Sequence, residues 1–158
     1  MSYIVEDAPA THEEEEEEME QGPEIPEHEI RDNYGRTHLF MAAQAGEIDL
    51  VKYLVEERGA NIHTRNNVSN TPLHIAAYNG HLDVVCYFIE DCEMDVNLPG
   101  KHGNTPLMMA AEGGQYSTCQ VLIEDMSADK TLTNDDGMRA SHLAVLNGHT
   151  QAAIYLLG

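Results

Sequence analysis

Nine histidines, three cysteines and six consecutive glutamates, Glu13 to Glu18, are the side chains with chemistry to offer. Two pairs of histidines recur at one interval: His74 with His142, and His81 with His149, each 68 residues apart. A regular interval points to a repeated structural position rather than to a ligand cluster. Cys86, Cys92 and Cys119 show no CxxC spacing and are odd in number. They read as plain thiols that pack as small hydrophobes in a reducing compartment, not as a disulfide framework or a metal site. Ser141 and His142 are adjacent, but a catalytic triad is defined by geometry and not by adjacency. Gly113-Gly114 lacks the spacing and the lysine of a phosphate-binding loop. No enzyme activity, cofactor or metal is expected. His12 and His28 read as solvated.

The elements behind that interval repeat every 34 residues, which marks a repeat architecture. Gly46, Gly80, Gly114 and Gly148 set the period. Thr71-Pro72-Leu73-His74-Ile75-Ala76-Ala77 precedes Gly80-His81, and Thr105-Pro106-Leu107 with Ala110-Ala111 precedes Gly114. Thr37, Leu39 and Ala42-Ala43 echo this upstream, and Ala144 downstream. Thr71 suits a helix N-cap, Pro72 the first helical position and Gly80 the stop. His81 to Glu90 predicts a second helix, with Leu82, Val85, Phe88 and Ile89 inward and Val84 and Cys86 widening the apolar surface. Ile48, Leu50, Val51, Leu54 and Val55 take those parts in the first unit, and Cys119, Val121, Leu122 and Ile123 in the third. One such unit cannot bury its own apolar face, so the units must stack.

The 158 residues carry a net charge of −20. Residues 1–30 hold 12 of the 28 acids and no Lys or Arg, leaving 16 acids against 8 bases downstream. This balance repels nucleic acid and anionic lipid. It favours a basic partner. No apolar run approaches membrane-spanning length, and no secretory or mitochondrial leader is evident, so a cytoplasmic or nuclear location is expected. Residues 1–22 read as a disordered acidic tail and 23–31 as a linker or N-terminal cap, with Ile25 and Ile30 over the open end of the first unit. The acidic run has three readings: a solubilising tail, a docking element for a basic partner, or a mask over Arg36, Lys101 and Arg139. Tyr3-Ile4-Val5 reads as disordered.

The intact Thr71 to Ala76 signature, the Gly80-His81 pair and Asp95-Val96-Asn97 resemble the ankyrin repeat. The resemblance covers Asp32 to Gly158. It implies an all-α solenoid of helix-turn-helix units with β-turn tips, over about 32–65, 66–99, 100–133 and 134–158. His38 and Phe40 depart from the pattern in the first unit, and Met108 and Gln115 in the third. The fourth replaces Thr-Pro-Leu-His by Arg139-Ala140-Ser141-His142, which places a hydroxyl at a core position. This unit reads as a degenerate terminal cap. The alternative is a fifth unit packed on Ile154, Leu156 and Leu157.

The resemblance further implies a protein-binding module, adaptor, inhibitor or scaffold, monomeric on its own, with a concave face made of tips and inner helices. Tip positions are Asn33, Tyr34, Arg36, Asn67, Val68, Asn70, Lys101, His102, Asn104, Asp135, Asp136 and Met138. Inner-helix positions are Gln44 and Ala45, Tyr78 and Asn79, Glu112 and Gly113, and Leu146 and Asn147. Tyr34 and Tyr78 are the expected anchors, because aromatic side chains dominate interface energetics. Arg36 is the expected charged anchor. Asn97 resembles an asparagine that oxygen-dependent hydroxylases modify. Two other functions stay open: an acidic, chaperone-like binder of basic proteins, and a fixed subunit of a larger assembly.

Overall fold

A computed structural model describes residues 24–158, and the readings placed on Tyr3-Ile4-Val5, His12 and Glu13 to Glu18 lie outside these. Four helix pairs follow one another: α1 (His38–Ala45) and α2 (Ile48–Glu56), α3 (Pro72–Asn79) and α4 (Leu82–Cys86), α5 (Pro106–Glu112) and α6 (Tyr116–Glu124), α7 (Ala140–Leu146) and α8 (Thr150–Leu157). No strand occurs among the described residues. The first helices of the pairs stack on one another as an inner row, α1 on α3 on α5 on α7. The second helices form the outer row. The chain is thus an all-α stack, as the 34-residue period requires.

Each inner helix starts and stops on side-chain chemistry. The Thr37 and Thr105 hydroxyls accept the Phe40 and Met108 amides at 3.3 Å. In α3 His74 completes the cap, with Nδ1 accepting the Thr71 amide at 3.2 Å and lying 2.7 Å from the Thr71 hydroxyl. Its Nε2 lies 2.7 Å from the Leu98 carbonyl and donates to it, joining the second unit to the third. Burial lowers the His74 pKa to about 4, so the ring is neutral at physiological pH. At the other end Gly80 takes φ +73°, a left-handed conformation that L side chains adopt at a cost. A Cβ there would also collide with the Gln115 side chain of the next unit.

The core is one continuous cluster through all four units. Ala43, Ala77 and Ala111 are fully buried, and these small side chains let neighbouring inner helices approach closely. Val51, Val84, Val85, Phe88, Cys119 and Leu122 fill the space between rows. Burial pushes the Cys119 thiol up to about 12, so it stays protonated and non-nucleophilic at neutral pH.

Several sequence expectations need correction. Leu50 is 40% exposed, because Val51 and Leu54 already supply the inward stripe of α2. Ile25 and Ile30 do not cover the first unit, being 66% and 55% exposed. The short 3-10 turn Glu27–Glu29 packs on α1 and buries His28, which is therefore not solvated. Leu156 points into the core and is not available to a further unit. The second helix of the second unit changes pitch after Cys86 and ends as a π-helical turn, Tyr87–Asp91. Tyr87 is buried in this turn. Its hydroxyl donates to Glu56 Oε1 at 3.0 Å, which satisfies the polar end of a buried ring.

Two outcomes follow for stability. Gly80→Val should lower it by about 2–3 kcal/mol, combining left-handed strain with the Gln115 collision. Gly148→Ala, with nothing within 4 Å of its added carbon, should cost only the strain. Equal thermal midpoints for the two variants would contradict this. For His74 the folded pKa lies below the unfolded value of 6.5, so the unfolded chain binds the proton more readily. Stability should hold above pH 6.5 and fall as pH drops towards 4, by up to about 3 kcal/mol. Urea unfolding across that window should be steeper in pH for wild type than for His74→Ala.

Candidate protein-binding face

Asp and Asn side chains build the tips. The first residue of each tip closes a turn onto the carbonyl four residues on: Asp32 to Arg36 at 3.0 Å, Asn66 to Asn70 at 2.9 Å, Gly100 to Asn104 at 2.8 Å, Asn134 to Met138 at 2.9 Å. In three of these the same residue braces the turn with its side chain. Asp32 Oδ1 accepts the Tyr34 and Arg36 amides, Asn66 Oδ1 those of Val68 and Asn70, and Asn134 Oδ1 those of Asp136 and Met138. Gly100 has no such acceptor. In that tip His102 adopts φ +55°, and the preceding unit supplies the brace: Asn70 Oδ1 accepts the Lys101 amide at 3.0 Å.

The tips also hold one another. The Asn67 amide donates to the Tyr34 carbonyl and the Asp135 amide to the His102 carbonyl, both at 2.9 Å. Asn67 Nδ2 donates to the Asn33 carbonyl at 2.9 Å. Arg31 and Arg65, which the sequence reading passed over, each span their own tip and the next unit. Their signal was an arginine repeated at 34 residues.

Behind the tips, a second set of ties joins the inner helices. The residues after Gly80, Gly114 and Gly148 reach back to the preceding unit. His81 Nε2 donates to the Gln44 carbonyl at 2.9 Å, Gln115 Nε2 to the Tyr78 carbonyl at 3.2 Å, and His149 Nε2 to the Glu112 carbonyl at 2.9 Å. Asn79 Nδ2 shares the Gln44 carbonyl at 3.4 Å.

Against this framework the expected site residues divide. Asn33, Tyr34, Asn67, Val68, Tyr78, Lys101, His102, Asp135 and Asp136 are exposed, and Arg36, Gln44, Asn79, Glu112 and Met138 half-buried. Asn70 and Asn104 are buried, and both line the hollow beside Tyr78 described below. Their amide oxygens are occupied between units: Asn70 holds Lys101, and Asn104 Oδ1 accepts from Asn134 Nδ2 at 2.9 Å. An asparagine in a turn gives no sequence sign of which way it faces.

Two clusters emerge. In the first, Arg36 lies 5.0 Å over the Tyr34 ring, pairs with Asp32 Oδ2 at 2.7 Å through Nη2, and donates to Gln44 Oε1 at 3.1 Å. The side-chain hydrogen bond from Arg36 holds the Asp32 carboxyl below the usual carboxylate range. The guanidinium is thereby fixed in place before any partner arrives. The second is a hollow of about 220 Å³ where Val68, Lys101 and His102 from two tips meet Ile75, Tyr78, Met109 and Glu112 from α3 and α5. Ile75 and Met109 were absent from the expected set, because helix periodicity assigns them to the core. Tip and inner-helix residues therefore share one face, mixed apolar and charged, suited to protein contact.

Asn70→Ala should cost about 1–3 kcal/mol, since it strands the Lys101 amide brace. Val68→Ala, on an exposed tip, should stay within about 0.5 kcal/mol. Chemical denaturation of the two variants measures the difference.

A family model described as "Ankyrin repeats (3 copies)" matches residues 19–99 and 73–158. No curated protein matches the chain. Ankyrin repeats are in general protein–protein interaction modules and typically non-catalytic. With its 34-residue helix pairs, glycine stops and interlocked tips, the chain belongs to the ankyrin-repeat family.

Proposed function

We propose that this protein is a non-catalytic adaptor or inhibitor that holds one protein partner across its tips and inner helices. The observation that carries the reading is the hollow shared by Val68, Tyr78, Lys101 and His102, in which a ring, an aliphatic side chain and a cation converge. Aromatic and arginine anchors dominate protein interfaces, and Tyr34 with its pinned Arg36 offers a second such anchor. The charge along the tips runs from Arg36 and Lys101 to Asp135 and Asp136, so the partner presents acidic groups at one end and basic groups at the other. We place this activity in the cytoplasm or nucleus, the reducing compartments in which unpaired cysteines such as Cys86, Cys92 and Cys119 are usual.

A second reading assigns binding of basic proteins to the acids of residues 1–30, and the net charge of −20 favours it. One experiment separates the two. The intact chain, a chain lacking residues 1–22 and the Tyr34→Ala/Tyr78→Ala variant are used for affinity capture with mass spectrometry. The proposal expects one partner, retained without the tail and lost with the double alanine, at an unchanged thermal midpoint. Capture indifferent to both tyrosines overturns it. A set of basic proteins lost on tail deletion supports the second reading.

A further inference from the structure

Asn70 and Asn104, from the second and third tips, are each 6% exposed and line the hollow of about 220 Å³ beside Tyr78. Their side-chain oxygens are spent. Asn70 Oδ1 accepts the Lys101 amide at 3.0 Å. Asn134 Oδ1 accepts the Asp136 and Met138 amides, so Asn134 Nδ2 must be the donor to Asn104 Oδ1 at 2.9 Å. These bonds fix which end of each amide is nitrogen. Asn70 Nδ2 has no hydrogen-bond partner among the described residues. Asn104 Nδ2 meets the Met109 sulfur at 4.0 Å, and a thioether is a weak acceptor. Two nearly buried amide donors are thus left to the hollow. Arg36 and Met138 stand at the matching positions of the first and fourth tips, so the asparagine pair is confined to the second and third.

Two opposite charges line the same hollow without meeting. Lys101 and Glu112 both belong to its lining, yet the ion pairs among the described residues are His28 with Glu29 and Arg36 with Asp32. Beyond residue 30 the chain has 16 acids against 8 bases, so a lysine left without a carboxylate is a place where one is wanted. Between the two charges the hollow is apolar, with Ile75 and Met109 as its floor and Val68 and Tyr78 at its sides.

We infer that this hollow captures the free C-terminal residue of the partner chain, one with an apolar side chain. The inference rests on the protein-binding reading of the groove and names what the groove recognises. A terminal residue gathers three groups around one carbon: a carboxylate, an apolar side chain and a backbone N–H. The hollow has a complement for each. Lys101 and the amides of Asn70 and Asn104 donate to the carboxylate, and charge-assisted bonds of this kind are the strong ones. Ile75, Met109 and the Tyr78 ring take the side chain. The Glu112 carboxylate accepts the N–H. An internal aspartate or glutamate brings a carboxylate but no apolar group on the same carbon. The size agrees, because 220 Å³ is below the about 300–1,000 Å³ of sites that enclose a drug-sized ligand, and suits a single residue. Capture of a chain end is a recurrent mode of peptide recognition.

Nuclear magnetic resonance of the isotope-labelled intact chain tests this, on titration with millimolar N-acetylated peptides ending in leucine, phenylalanine or methionine. Free-acid peptides should shift the Lys101 and His102 backbone signals and the Asn70 and Asn104 side-chain signals saturably. The same peptides with an amidated end should bind about tenfold more weakly or worse. Lys101→Met removes the cation from an exposed position and should leave the thermal midpoint unchanged. Asn70→Asp keeps an acceptor for the Lys101 amide and replaces only the free donor. Each should weaken the free acids by about tenfold or more. Equal binding of acid and amide overturns the proposal. So does undiminished affinity in both variants, or the absence of any shift. An amidated peptide with an internal aspartate that matches the free acids also overturns it, by assigning the site to side-chain carboxylates. A partner still captured through Tyr34 and Tyr78 when no peptide end binds removes the end recognition alone and leaves the groove reading in place.

Discussion

Everything in this molecule hangs on one joint: a glycine in the left-handed conformation, and the next unit's side chain laid over its missing Cβ. At Gly46, Gly80 and Gly114 a side chain would collide with His81, Gln115 and His149. Those three residues occupy that space and donate to the carbonyl two residues before the glycine. The glycine thus does two things. It ends the inner helix, and it opens the site through which one unit grips the next. A unit alone has too little apolar surface to stay folded, so the joint is what turns four marginal hairpins into one cooperative body.

The joint also explains what the sequence reveals and what it conceals. Thr71-Pro72-Leu73-His74 announces a helix start because each residue has a local duty that depends on its neighbours in sequence. The glycine period announces the stack for the same reason. What holds Asn70 and Asn104 is hidden, because their partners lie 31 and 30 residues away, in the next unit. The partner of the buried Tyr87 hydroxyl, Glu56, likewise lies 31 residues back, on another outer helix. The hollow beside Tyr78 takes Ile75 and Met109 as its floor, and helix periodicity gives no means of telling a core position from the bottom of a groove. The family and the stacked helix pairs were legible. The division of the face into gripping and presenting residues needed the packed structure.

That division narrows what a partner can touch. Backbone amides and carbonyls of the tips are largely committed within their own turns and at a few points to neighbouring units, so under the proposed function recognition falls to side chains standing clear of the ties. Tyr34, Val68, Tyr78, Lys101 and His102 stand clear. Arg36 is tied, but to groups on the presenting face itself, which orders it without hiding it. Ordering of this kind lowers the entropy lost on binding.

The third tip shows how far such units are from interchangeable cassettes. Gly100 leaves it without the internal brace of the other tips, and Asn70 of the preceding unit holds Lys101 in its place. Asp135 of the following unit holds the carbonyl of His102. Two residues at the heart of the groove therefore owe their placement to units they do not belong to. Both ties run to backbone atoms of the third tip, so side chains at 101 and 102 are free to change while their placement holds, whereas position 70 must keep a side-chain acceptor. A grafted or swapped third unit would carry its sequence to a new setting and leave the placement of its tip behind.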